Sequence, residues 1–268
     1  MKIIISNKSK KEILVTLFQM LKNFTSTVVL LFNEDHLYIQ GMDKSHVCLY
    51  DIKLVDTWFD KYEVDKEDNA TVCINTSSIH SVLSMSKDSQ ILHIHYTGDA
   101  EKLYIDFINE QQLKGEYSRY FEIPLVECDP DFYDIPDVEY DAEFSLNEKK
   151  MNEITSQLSL FGDTMCIDCS EEKIDISTEG DVGKMRINIP IDDLDEFSIS
   201  EGQQYKLSYS LNYVHKMCIT TKLSQISFSI SESFPMKIGY VILDDGNTDG
   251  QPLGHAIFYI APKVCDND

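Results

Sequence analysis

Apolar residues recur at helical spacing behind Ser9. Ile13, Leu14, Leu17, Phe18 and Leu21 form one stripe, and Lys11, Val15, Gln19 and Lys22 fall on the opposite side. Ser9-Lys10-Lys11-Glu12 reads as a capping box, in which Ser9 and Glu12 each satisfy an orphan N–H at the helix start. Three shorter helices are predicted after Thr76 (Ile79, Val82 and Leu83 inward), Asn147 (Met151, Ile154 and Leu158 inward) and Ser210 (Leu211, Val214 and Cys218 inward). Elsewhere the period is two. Leu37 and Ile39 alternate with His36 and Tyr38, Ile174 and Ile176 with Lys173 and Asp175, and Met185, Ile187 and Ile189 with Arg186 and Asn188. That alternation predicts half-buried antiparallel strands. The class is α+β, with helices covering one face of antiparallel sheet.

The pattern occurs twice. His80, Lys87, Ser89-Gln90-Ile91 and Lys102 reappear 135 residues later as His215, Lys222, Ser224-Gln225-Ile226 and Lys237. Lys8, Glu12, Ile13 and Leu17 reappear 141 residues later as Lys149, Glu153, Ile154 and Leu158. Two tandem copies of one domain, each roughly 120–130 residues, follow from this repeat and from the size at which single cores stop growing. The predicted division is an N-terminal domain at 1–122, a connector at 123–140 and a C-terminal domain at 141–268.

Residues 122–141 hold eight acidic residues, no Lys or Arg, and Pro124, Pro130 and Pro136. Proline removes ladder donors and like charges repel, so an extended surface connector is expected. It also carries Ile123, Leu125, Val126, Phe132, Tyr133, Ile135, Val138 and Tyr140, more apolar side chains than a solvated linker needs.

The chain has 268 residues and a formal charge of −23, which argues against bulk adhesion to nucleic acid or anionic membrane. No apolar run approaches the roughly 18 residues of a membrane helix, and the opening Met1-Lys2-Ile3-Ile4-Ile5 reads as a strand rather than a signal peptide. The seven scattered cysteines have no framework spacing and are expected as reduced thiols. Cys166 and Cys169 have metal or redox spacing but no second pair, and His93 and His95, though they share a strand face that could bind metal, are expected as a surface or satisfied pair. The acidic run Asp192, Asp193, Asp195 and Glu196 reads as a solvated loop. No nucleophile motif, phosphate-binding glycine loop or metalloprotease signature is present, so no enzyme, cofactor or metal site is expected.

Gly41-Met42-Asp43-Lys44-Ser45-His46-Val47 resembles the strand-turn signature of the proliferating cell nuclear antigen family of DNA sliding clamps. Ile135-Pro136-Asp137-Val138-Glu139-Tyr140, Glu179-Gly180-Asp181-Val182-Gly183 and Tyr259-Ile260-Ala261-Pro262-Lys263 resemble the same family, in the same order, over essentially the whole chain. The resemblance implies a homotrimeric ring around duplex DNA, with helices lining the hole and sheets forming the outer wall. It implies a processivity factor for a DNA polymerase, placed on DNA by a separate ATP-consuming clamp loader, in the nucleus or wherever DNA is replicated.

By resemblance, a groove for short hydrophobic-aromatic partner motifs is built from Met42, His46, Val47, Leu49, Tyr133, Ile135, Pro136, Pro235, Tyr259, Ala261 and Pro262. DNA-facing candidates are Lys10, Lys11, Lys22, Lys87, Lys114, Lys149, Lys150, Lys216 and Lys222. Lys22 and Lys114 fall where the family is usually basic, whereas Val15, Thr16, Ser81, Ser84, Glu153 and Ser156 replace other usual cations. Head-to-tail subunit contacts are expected between an edge at 117–123 (Tyr117, Tyr120, Ile123) and one at 174–182 (Ile174, Ile176, Val182). Glu171 stands where the family carries a lysine used for ubiquitin or SUMO attachment, so that switch is expected to be absent or moved to a lysine such as Lys173. The thinned basic surface motivates an alternative, a clamp-fold scaffold or transcription-associated factor that never encircles DNA. The segment 244–255 is longer than the matching family turn.

Overall fold

The structure, a computed structural model, describes residues 1–64, 70–98, 101–111, 115–219, 222–223, 225–243 and 251–263. A single succession of elements runs through the chain twice. The first pass is β1 (Lys2–Ile5), α1 (Lys8–Leu21), β2 (Thr27–Phe32), β3 (His36–Met42), β4 (Cys48–Val55), a 3₁₀ turn at Asp56–Trp58, β5 (Lys61–Glu63), β6 (Ala70–Asn75), α2 (Thr76–Leu83), β7 (Gln90–His95), β8 (Lys102–Asn109) and β9 (Arg119–Pro124). The second is β10 (Ala142–Asn147), α3 (Glu148–Leu158), β11 (Thr164–Ser170), β12 (Lys173–Gly180), β13 (Gly183–Pro190), a 3₁₀ turn at Ile191–Asp193, β14 (Glu196–Ile199), β15 (Gln204–Ser210), α4 (Leu211–Met217), β16 (Gln225–Ile230), β17 (Met236–Ile242) and β18 (Gly254–Ile260). The α+β class and the tandem duplication follow directly.

Taken over the described residues, the chain forms two compact units. One holds Met1–Lys44, Tyr50–Tyr133 and Ile242–Ala256, and the other Ser45–Leu49, Asp134–Val241 and Ile257–Asp268. In the first, β5-β1-β7-β8-β9 form one antiparallel sheet and β6, β2, β3 and β4 lie side by side in that order. In the second, β13-β12-β11-β15 form one sheet, and β14, β10, β16 and β17 are neighbours in another. Strand residues that alternate in sequence alternate in burial. Leu37 and Ile39 of β3 are buried while His36 and Tyr38 are half-buried. In the second core Phe144 stacks on its register partner Phe228 with ring centroids 5.0 Å apart.

The N-cap of helix α1 lies two residues before the predicted one, Ser9. Asn7 is the N-cap, its side chain accepting from the Lys10 N–H, and Ser9 lies inside the first turn. Asn75 and Asn147 cap α2 and α3 in the same way, through Ser78 N–H and Lys149 N–H. Leu14, Leu17, Phe18 and Leu21 are buried as the stripe predicts, but so is Lys11, which the same wheel places outward. In α3 Met151 and Leu158 are buried as expected, but Thr155 takes the inward place expected of Ile154, which is half-buried. Thr155 is tolerated inside because its hydroxyl donates to the Met151 carbonyl at 3.0 Å. The connector segment forms neither strand nor helix over residues 125–140, but β9 runs through to Pro124, a proline position that an edge strand accepts.

One expectation about the cysteines fails. Cys73 on β6 and Cys128 in the connector form a disulfide, with Cα atoms 6.2 Å apart. The backbone reinforces it, since Val126 N–H donates to the Cys73 carbonyl at 2.9 Å. Cys48, Cys166, Cys169 and Cys218 are thiols outside any disulfide, and Cys265 lies outside the described residues.

Candidate partner groove and DNA-facing helices

Most of the groove candidates belong to the second unit. Val47 and Leu49 are half-buried on either side of buried Cys48, and Tyr259 and Ala261 are half-buried around buried Ile260. Ala261 N–H donates to the Val47 carbonyl at 3.0 Å, which fixes these two segments in register. Ile135 is half-buried, while Pro136, Pro235, Pro262 and His46 are exposed. His46 adopts a left-handed φ of 57°, the turn that precedes Val47. Tyr140 packs edge-on against Phe234 at 6.5 Å between centroids. Phe234, 37% exposed, is an apolar contact beside Pro235 that sequence reading passed over.

Met42 and Tyr133 lie in the first unit, both half-buried. There Tyr133 is bound through its backbone. Its N–H donates to Gln40 Oε1 at 2.7 Å, and Gln40 Nε2 donates back to its carbonyl at 2.9 Å. Phe132 leans on Tyr38 with centroids 6.1 Å apart.

The lysine candidates divide by where their ammonium groups go. Lys11 is 4% exposed and donates to the backbone carbonyls of Lys87 (2.9 Å), Asp88 (3.1 Å) and Gln90. Burial lowers its pKa, with Asp88 opposing. This ammonium closes the α2–β7 connection and is not offered to a ligand, so the DNA-facing expectation fails for it. Lys10 is also buried, at 8% exposure. Lys22 is half-buried with its Nζ 3.2 Å from His80 Nδ1, and burial followed by the Lys22 charge lowers the His80 pKa. Lys216 lies over the Tyr213 ring at 5.7 Å. Lys87, Lys149, Lys150 and Lys222 are exposed, whereas Lys114 lies outside the described residues.

The interface candidates need a correction. Tyr117 and Tyr120 are 76% and 70% exposed, and β9 is the edge of its sheet. Ile123 is buried in its own core at 4% exposure. On the other side β12, which carries Ile174 and Ile176, is an inner strand paired to both β11 and β13, and both isoleucines are fully buried. The open edge is β13, one strand later, and Val182 at 75% exposure lies in the turn leading into it.

Cys166 is half-buried and Cys169 buried, on opposite faces of β11, and burial raises the Cys169 pKa to about 11. His93 and His95 line a cavity of about 460 Å³ with Lys2, Glu63 and Asp106, where His95 Nε2 lies 3.0 Å from Asp106 Oδ2. Among the described residues no three His, Cys, Asp or Glu side chains converge as a metal-ligand set. Glu171 accepts from Gly202 N–H at 2.7 Å, and Lys173 Nζ sits 2.8 Å from Asp175. Of the longer loop, residues 244–250 lie outside the described residues.

Comparison with known proteins gives the family. Residues 6–132 match the model of the proliferating cell nuclear antigen N-terminal domain, and residues 134–263 that of its C-terminal domain. The chain is 27% identical over 265 residues to the Plasmodium falciparum protein named proliferating cell nuclear antigen 1, in isolates K1 / Thailand and 3D7, covering 96% of this chain and 95% of that one. It is 25% identical over 261 residues to proliferating cell nuclear antigen 2 of Drosophila melanogaster, covering 97% of each. With its doubled succession of elements matched by both domain models nearly end to end, the chain belongs to the proliferating cell nuclear antigen family.

Proposed function

We propose that this clamp-family chain closes into a homotrimeric ring around duplex DNA and acts as a processivity factor. On this reading it recruits DNA polymerase and other replication or repair proteins through short hydrophobic-aromatic motifs. The observation that carries the reading is the match to both clamp domains over a chain whose element order repeats. The organisation 1–122, 123–140 and 141–268 belongs to the same proposal. The chain performs no catalysis, and a separate loader supplies ATP-driven opening. Its workplace is the nucleus or another site of DNA replication; no described helix is long and apolar enough to cross a membrane.

Three features support it. The free edges of β9 and β13 are both open to pairing, which suits a head-to-tail contact that closes when the rotation allows. Lys149 and Lys150 on α3 are exposed, as a surface that holds phosphate without reading bases requires. Half-buried Val47, Leu49, Ile135, Tyr259 and Ala261, with Pro235 and Pro262, offer apolar surface for buried anchors in the second unit.

Retention on circular DNA tests the ring: a clamp stays on the closed circle and is lost when the circle is cut. Ile135→Glu tests the groove, with peptide binding abolished and the native mass of the ring unchanged. The withdrawal of Lys11 and Lys10 into the first unit favours one alternative, a clamp-fold scaffold that never encircles DNA. A monomer by native mass spectrometry, with no retention on circles, would establish that alternative instead.

A further inference from the structure

Gln40 on β3 is 3% exposed, and its amide meets both backbone groups of Tyr133. A single side chain thereby supplies the donor and the acceptor that a neighbouring strand would supply. The arrangement works in one orientation only. Rotating the amide by half a turn would set NH₂ against N–H and oxygen against carbonyl.

Asp51 on β4 selects that orientation. Its Oδ2 lies 3.4 Å from Gln40 Nε2, so the NH₂ end must face the carboxylate. The carboxylate is itself held, by the Tyr38 hydroxyl and by His255 Nε2 at 2.8 Å. Burial pushes the Asp51 pKa up, but hydrogen bonds from His255 and then Tyr38 outweigh it and leave the group below its ordinary value. At neutral pH Asp51 is therefore ionised and purely an acceptor. All five residues belong to the first unit.

Tyr133 is itself one of the groove candidates and stands two residues ahead of Ile135 on the connector. We propose that Gln40 is a positioning residue for partner binding: it sets the connector's path at Tyr133, and Asp51 holds Gln40 in the orientation that does so. A fixed entry lowers the ordering cost of docking a peptide, and such preorganisation reads out as affinity. The inference rests on the groove reading.

The test uses the full chain in three variants, Gln40→Ala, Asp51→Asn and Ile135→Glu. The probe is a fluorescein-labelled peptide with one aliphatic and one aromatic anchor a helical turn apart, and amide hydrogen exchange is followed at Tyr133. Gln40→Ala is expected to weaken the peptide about 5- to 20-fold and to speed Tyr133 exchange, with exchange in β10 and β16 unaltered. Asp51→Asn, nearly isosteric, frees the Gln40 amide to rotate and should weaken binding about 2- to 5-fold. Unchanged Tyr133 exchange in Gln40→Ala overturns the positioning role, with or without peptide. So does native peptide affinity in Gln40→Ala when Ile135→Glu abolishes binding. If Ile135→Glu binds like the native chain, the groove reading falls, and the Gln40–Tyr133 clamp is left to the exchange measurement alone.

Discussion

Lys11→Met separates a lysine that holds the fold from one that meets DNA. The substitution keeps the apolar stem and removes the ammonium that donates to the carbonyls of Lys87, Asp88 and Gln90. A hydrogen bond to a charged group is worth about 1.5–3 kcal/mol net, but the three are not additive. The Lys87 carbonyl still accepts from the Gln90 N–H at 3.1 Å, and Asp88 is exposed, so neither carbonyl is stranded once the ammonium is gone. Gln90, 2% exposed, is not so placed, and its carbonyl bears the larger cost of an unmade bond. The expected loss is therefore about 2–4 kcal/mol, nearer one strong bond than three. Urea unfolding reads it as a lower midpoint at unchanged slope, with faster exchange at the start of β7. DNA binding should keep the native salt dependence, because no phosphate contact has been removed. A stability loss under about 0.5 kcal/mol, together with a salt slope shallower by about 0.9, would refute the inward placement.

Three other perturbations have defined outcomes. Lys149→Ala with Lys150→Ala should leave unfolding unchanged within about 0.5 kcal/mol and flatten the log–log salt dependence of DNA binding by up to about 1.8, measured by anisotropy at several salt concentrations. The Asp175 carboxyl is held at about 2 by the Lys173 ammonium, the Asn188 amide and the Arg186 guanidinium. Its folded pKa is depressed, so its contribution is complete above the ordinary carboxylate range and disappears as pH falls toward 2. In Asp175→Asn the acid limb of a stability–pH curve should be flatter in that window, and an unaltered limb would count against the cluster. Gly180→Ala would place a Cβ 2.3 Å from the Phe161 carbonyl oxygen, a backbone atom that cannot swing aside. A loss of about 1–3 kcal/mol in thermal unfolding is expected, whereas a neutral variant would mean that the 161–180 approach is looser than described.

Much of the fold was legible because periodicity survives averaging over neighbours. Leu14, Leu17, Phe18 and Leu21 face a core whatever that core is made of, and His80 and His215 mark the same place in the two passes. The failures arise where a partner comes from far along the chain. Lys11 reads as solvated because Lys usually is, and its three carbonyls lie 76–79 residues away. Cys73 and Cys128 are 55 residues apart, and spacing alone cannot pair them. The edge error has the same origin. Ile174 and Ile176 announce a strand with one face inward, but alternation is silent on whether another strand lies beside it, and β13 does.

The groove set came from motif resemblance, and its supporting residues carried no signal of their own. Gln40 is one polar residue between apolar ones on β3, indistinguishable in sequence from an outward position, yet it is 3% exposed and holds Tyr133 at both backbone groups. A buried glutamine must satisfy three or more hydrogen-bonding positions, and here the connector and Asp51 do so. Beyond the Leu125 N–H bond to the Glu101 carbonyl beside β9, the connector is fastened to the first unit at two further places, through Val126 and Cys128 to Cys73, and through Tyr133 to Gln40. Like charge along the acidic stretch favours extension, and the two fastenings give the chain a fixed path up to Tyr133. Peptide affinity should then follow the second fastening more than the first, because Tyr133 lies closer to Ile135 than Cys128 does. Reduction of Cys73–Cys128 should therefore move affinity less than Gln40→Ala does, and the reverse order would place control of the connector at the disulfide.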